Sequence, residues 1–343
     1  MAKHYLLLVH GMGKPTDAMF SEWTETLKQT YSKYSKGKKF EDQFECKSIE
    51  YDSIFEARRE AWGDQIDTIL TSGVTTGLPF PTKDDLKKIT EDNFFTTHLF
   101  DVMLYRFIPL IKEYVIAHVI TQINEVVQEA PFSSEISIIA HSLGTMVTLD
   151  AVNAMYETED DSGNTLSPGN FRFETIAMIA NVSRTLKTRW GVYDSLVKPG
   201  CDLSHDYVTQ KFLSTSHKWD PLVALKRFSP VDNWPDPQTV SKGRVKILEP
   251  GIITHWNVHD FSHYLNDPAV HVPLFRMLRH PRFINKTQFE EALVAYHEAN
   301  PIEEFEAYLK KLKAIIVGEA DFSWKRLVEI FKAFQGIVEE FTE

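Results

Sequence analysis

The stretch Ser137-Ile138-Ile139-Ala140-His141-Ser142-Leu143-Gly144-Thr145 constrains the fold more than any other in the chain. A short, isoleucine-rich apolar run stops at a small-x-Ser-x-Gly pentad, and helix-compatible sequence from Met146 to Tyr156 follows at once. The pattern predicts strand, sharp turn and helix, with Ser142 at the apex. Such a turn holds the serine in a strained backbone conformation and lifts its hydroxyl clear of the sheet edge. Strand and helix nearly touch there, so the positions two before and two after must be small, as Ala140 and Gly144 are. The Leu143 amide, at the helix start, is placed to face an oxyanion and to gain from the helix dipole. A serine that merely caps a helix would not need the strand before it.

Of the 343 residues 43% are hydrophobic, enough for one large core. The expectation is one α/β domain with an inserted or appended helical part. A net charge of −11 and a pI near 5.7 argue against a nucleic-acid partner, which would want a basic face. No apolar stretch approaches the length of a transmembrane span. The start, Met1-Ala2-Lys3-His4 followed by Tyr5 to Val9, mimics a signal peptide, but His10-Gly11 interrupts the apolar run and no cleavage site follows. A buried strand explains it better. Cys46 and Cys201 lie far apart without metal-ligand spacing, which fits reduced thiols and a cytoplasmic location.

Taken in order, residues 5–9 read as a buried strand closed by His10-Gly11-Met12-Gly13-Lys14-Pro15, and a helix runs from about Phe20 to Tyr34. The glycines let this turn approach a ligand closely. Residues 43–51 read as a second strand and 55–70 as a helix; 99–127 is a long apolar helical segment broken or kinked at Pro109. Phe94, Phe95, Leu99, Phe100, Met103, Leu104, Tyr105 and Phe107 form an aromatic-rich surface, either a crossover helix packed on the sheet or the lining of an acyl pocket or lid. Residues 157–170 are a polar loop. Strands are expected at 173–180, 207–213 and 243–248, and an amphipathic helix from His271 to Leu278. Residues 286–343 carry two or three amphipathic helices with no evident chemistry.

Ser142, Asp220 and a histidine from the segment 255–265 occur in the order serine, acid, histidine. Asp220-Pro221 follows a strand, where a histidine-orienting carboxylate is needed. A serine hydroxyl is a poor nucleophile at neutral pH without a histidine to take its proton and an acid to hold the imidazole tautomer. His263, just before Tyr264-Leu265 and the helix start at Pro268, is the preferred base, and His259 is its alternative. His255 and His271 rank behind both. His10 and His141 read as loop supports, and His217 as a surface residue or one lying behind the site.

On these motifs the chain resembles the serine esterases and lipases of the α/β-hydrolase superfamily over roughly residues 4–280. His10-Gly11-Met12-Gly13 resembles the oxyanion loop, Ala140-His141-Ser142-Leu143-Gly144 the nucleophile elbow, and Asp220-Pro221 and His263-Tyr264 the acid and histidine loops. Ala140 stands where glycine is usual, and the leading hairpin of the fold is missing. The resemblance implies an α/β-hydrolase domain over 1–283: a mostly parallel sheet flanked by helices, with trimmed N-terminal strands and a helical segment at 55–130 that could serve as cap or lid. A C-terminal helical extension follows over 284–343. It implies a catalytic Ser142, Asp220 and His263, oxyanion donors at Met12 and Leu143, and no cofactor or metal. The expected substrate is a small ester with an apolar acyl or aryl group, toward which Trp219 and Trp256 also point. A thioesterase or acyltransferase would use the same residues. A non-catalytic hydrolase-fold protein binding a partner through its C-terminal helices is the reading from another class. His255, His259 and His263 have helical spacing, but no His-Glu-x-x-His pattern supports a metal-dependent hydrolase.

Overall fold

Apolar runs bounded by turn residues become the strands of one parallel sheet. The computed structural model describes residues 3–11, 17–63, 101–102, 104–106, 108–157, 170–185, 191–200, 207–231, 234, 237–278, 283–298, 305–316 and 324–342. The strands are β1 (His4–Val9), β2 (Phe44–Ile49), β3 (Glu135–His141), β4 (Phe173–Ile179), β5 (Thr209–Thr215) and β6 (Val245–Leu248). Their spatial order is β2-β1-β3-β4-β5-β6, and every neighbouring pair is parallel. The chain is therefore an α/β fold.

Sequence pattern follows position in the sheet. Leu6, Leu7, Leu8 and Val9 of β1 are all at most 1% exposed, because a central parallel strand is covered on both faces. The edge strands β2 and β6 carry Glu45, Lys47 and Lys246, whose charges discourage further pairing. Strand order reverses at β1, between β2 and β3, and such a switch point opens a crevice at the carboxyl ends of the strands. Val9 pairs with Ala140, so β1 and β3 deliver His10 and Ser142 to the same edge.

Crossover helices cover the sheet. They include α1 (Asp17–Ser32), α2 (Asp52–Gly63), α3 (Pro109–Glu129) and α4 (Leu143–Glu157). Pro109 opens α3 at its first turn, where a missing N–H costs nothing, rather than kinking a longer helix. Residues 143–156 of α4 are all buried, between α3 and the sheet. Its Asp150 is neutralised by Lys112 at 2.7 Å and accepts a 2.9 Å hydrogen bond from the Tyr105 hydroxyl. Leu104 and Tyr105 thus pack in the core; the other members of the aromatic surface, Phe94, Phe95, Leu99, Phe100, Met103 and Phe107, lie outside the described residues.

After β5 come two short helices, α5 (Pro221–Ala224) and α6 (Pro237–Ser241), then β6, α7 (Phe261–Asn266) and α8 (Pro268–Leu278). The expected strand at 207–213 lies two residues later. Trp23 of α1 stacks on Phe261 of α7 at 3.9 Å, and His141 meets both rings edge-on.

Three C-terminal helices follow, α9 (Lys286–Glu298), α10 (Phe305–Ile315) and α11 (Trp324–Thr342). Leu327, Ile330, Phe331, Phe334 and Ile337 form one stripe of α11 at helical spacing, and all are buried. Burial of each contributes about 1.5–3 kcal/mol. Trp256, Tyr308 and Phe341 pack with ring centroids 4.9–5.3 Å apart, and the Tyr308 hydroxyl donates to the Trp256 carbonyl. Lys311 pairs with Glu340 across α10 and α11. Of these helices α10 and α11 share the core of the sheet, whereas α9 buries none of its residues. Among the described residues no helix is long and apolar enough to cross a membrane.

Trp23→Ala removes the stack that joins α1 to α7. It should cost about 3–5 kcal/mol in urea unfolding.

Candidate active site

Ser142 joins β3 to α4 with φ at 52°, in the left-handed region that a side chain with a Cβ enters at a cost of roughly 1–2 kcal/mol. Two hydrogen bonds hold it there: its N–H donates to the Ile179 carbonyl at 3.0 Å, and the Thr145 hydroxyl donates to its carbonyl at 2.6 Å. The small-residue demand is steric. A Cβ on Gly144 would lie 2.1 Å from the His10 carbonyl oxygen and 2.8 Å from that of Val9. A Cβ on Gly11 would lie 2.9 Å from the Ser142 Cβ, so the loop after β1 runs directly against the serine. The Tyr51 hydroxyl steadies this loop through the carbonyls of His10 and Gly11.

Asp220 caps α5: its Oδ1 accepts from the Leu222 N–H at 3.0 Å, and Pro221 sets the first helical position. Its Oδ2 is left to accept from His259 Nδ1 at 2.6 Å and from the Tyr264 hydroxyl at 2.8 Å. Burial pushes this carboxyl up. The opposing charge of His259 and the hydrogen bonds from His259, Tyr264 and Leu222 outweigh it and leave the pKa below the ordinary value. The acid is therefore ionised. A carboxylate only accepts, so the Nδ1 of His259 carries the proton and its Nε2 lone pair faces Ser142 Oγ at 2.7 Å.

Of the two histidines weighed in the sequence, the structure brings His259, the alternative, and not His263 against Ser142 and Asp220. Asp260 caps α7 by accepting from the His263 N–H at 3.1 Å, which puts His259 in the loop just before the helix and His263 in its first turn. His263 Nδ1 meets Thr254 Oγ1 at 3.2 Å, its Nε2 has no hydrogen-bond partner among the described residues, and its ring lies 5.0 Å from that of His217. Burial, and then the neighbouring His217, lower its pKa to about 3. The Asp at 260, a helix-start signal in the sequence, could have separated the two histidines.

Tyr264, to which sequence reasoning gave no role, links the His217 N–H, which donates to its hydroxyl at 2.7 Å, to Asp220. His217 takes the second of the two places expected for it, buried behind Asp220, and burial lowers its pKa to about 4. His141 supports a loop as expected: its Nε2 donates to the His259 carbonyl at 2.8 Å. His271 sits buried in α8, with Nδ1 donating to the Leu265 carbonyl at 2.9 Å.

Leu143 is the first residue of α4, so its N–H belongs to the donors that a helix leaves without an internal partner. Met12 lies outside the described residues. Beside Ser142 is a cavity of about 20 Å³, bordered by Leu143, Val182, Thr185 and Leu222 and by Leu327 and Phe331 of α11. A larger crevice of about 940 Å³ lies elsewhere, between α7 and α9, with His255 and His263 on its wall. Among the described residues no three His, Cys, Asp or Glu side chains are grouped to hold a metal ion.

The buried histidines have a consequence for stability. His217, His263 and His271 are held to about 4, 3 and 3, chiefly by burial, whereas in the unfolded chain they take up protons near pH 6.5. Below that pH the unfolded state binds more protons, so stability falls with pH by about 1.4 kcal/mol per unit for each histidine. Urea unfolding between pH 6.5 and 4.5 should show this fall, and His263→Asn should lower its slope by one histidine's share.

No family model and no curated protein matches this chain. Among solved structures, one described as a crystal structure of an uncharacterized protein from Pseudomonas aeruginosa aligns at 11% identity and a TM-score of 0.31. The alignment covers 99% of this chain and 62% of that one, and a similarity this low carries no argument.

Proposed function

We propose that the protein is a serine hydrolase of the α/β-hydrolase type that cleaves carboxylic esters through an acyl-enzyme on Ser142. The observation that carries this reading is the continuous chain Ser142 Oγ–His259 Nε2 at 2.7 Å and His259 Nδ1–Asp220 Oδ2 at 2.6 Å. It lies at a strained strand-to-helix turn and at the carboxyl edge of a parallel sheet.

His259 takes the Ser142 proton as the oxygen attacks the ester carbonyl. Asp220 holds the imidazole in the required tautomer and offsets the imidazolium charge. The tetrahedral oxyanion accepts from the Leu143 N–H; one such donor contributes about 3 kcal/mol to lowering the barrier. Collapse transfers the proton from Nε2 to the departing alcohol. Water, activated by the same histidine, then releases the acid.

The test is hydrolysis of p-nitrophenyl acetate together with covalent labelling by a sulfonyl fluoride, the modified residue being identified by mass spectrometry. Ser142 should be the labelled residue, and Ser142→Ala should abolish turnover and labelling. His259→Ala should lower kcat about 10⁴-fold or more. His263→Asn, which can keep the Thr254 contact, should stay within about tenfold of the unaltered enzyme. Full activity of Ser142→Ala, or loss in His263→Asn equal to that in His259→Ala, would overturn the assignment.

A further inference from the structure

We infer that Leu327 and Phe331 of the C-terminal helix α11 set the acyl-size limit of the site, and that its substrates are esters of short acyl groups, acetyl to propionyl. The inference rests on the hydrolase reading above and names the substrate class for it. The cavity that adjoins Ser142 holds about 20 Å³, space for roughly one water molecule. Its walls are apolar but for Thr185: Val102, Leu143, Val182 and Leu222 on the core side, and Leu327 and Phe331 on the α11 side. A pocket of this size accepts a methyl-sized group, and a longer alkyl chain would have to pass Leu327 and Phe331.

The α11 side of the pocket is built in. Leu327 and Phe331 belong to the same buried stripe as Ile330, Phe334 and Ile337, all at most 7% exposed. The helix is also tied to both loops that carry the triad. Phe341 packs on Trp256, three residues before His259, and α11 lies against α5, which Asp220 caps. Arg326 donates to the Ile315 carbonyl at 3.1 Å and joins α11 to the end of α10. Moving this wall would expose the stripe and disturb the acid and base together. The side chains at 327 and 331, rather than a motion of the helix, therefore decide what fits.

The experiment compares kcat/KM for p-nitrophenyl acetate, butyrate and octanoate in the unaltered protein, Leu327→Ala, Phe331→Ala and Phe331→Leu. Rates of Ser142 labelling by methanesulfonyl and octanesulfonyl fluoride are measured alongside. The unaltered protein should prefer acetate over butyrate by at least about tenfold, and methanesulfonyl over octanesulfonyl fluoride. Phe331→Ala should shift the preference toward butyrate, each methylene that gains a buried position being worth about fourfold in kcat/KM. Leu327→Ala and Phe331→Leu should shift it less, and they decide the matter if Phe331→Ala does not fold. Octanoate turned over as well as acetate by the unaltered protein, or an unchanged chain-length ratio in folded variants, would overturn the size limit while leaving the nucleophile assigned. Labelling by neither sulfonyl fluoride in folded protein would overturn the hydrolase reading and this inference with it.

Discussion

The steric meeting of β1, β3 and α4 is the constraint on which the rest depends. The Val9 and His10 carbonyls press so closely on Gly144 that no Cβ fits there, and Gly11 backs onto the Ser142 side chain. With both neighbours fixed, the chain can pass from β3 into α4 only by putting Ser142 in the left-handed region. The strain is held by the Ile179 carbonyl and the Thr145 hydroxyl, both parts of the buried core. Local geometry at the serine is thus a product of sheet order: β1 and β3 must be neighbours for the contact to exist.

Around that point the polar groups form one connected chain. The His217 N–H donates to Tyr264, Tyr264 donates to Asp220, Asp220 accepts from His259, and the His259 carbonyl accepts from His141. In a buried setting such a network is strong when complete and costly when broken. That is why Asp220 stays ionised with no exposure to water. The same environment keeps His217 and His263 neutral, so two histidines within a few residues of Asp220 and His259 hold position without carrying charge.

The C-terminal helices change meaning once they are seen in place. In the sequence they are amphipathic and lack residues that carry chemistry, so they read as an extension or a partner surface. In the fold, α11 supplies two side chains to the cavity at Ser142, and Tyr308 of α10 holds the backbone of Trp256 in the segment leading to His259. Whatever the site binds must fit against them.

The parallel α/β architecture was readable because central parallel strands are apolar on both faces; Leu6 to Val9 and Ile138 to Ala140 therefore stand out as unbroken runs. The serine turn was readable because its small residues are a local steric requirement. Asp220 was readable for a related reason, since Asp220-Pro221 is a local helix-start signal that also leaves one carboxylate oxygen to accept from His259. The histidine was not. His259 and His263 differ only in which side of the α7 cap they fall, and α7 is placed by the Trp23–Phe261 stack with a helix more than 200 residues earlier. Tyr264 and the side chains of α11 left no local signal at all, because their roles consist of contacts with distant strands and loops. The strands, the turn and the place of Ser142 in it are legible in the chain because the physics there is short-range. The tertiary structure alone decided which histidine meets Asp220 and what closes the cavity, because both are set by packing between segments that the chain order keeps apart.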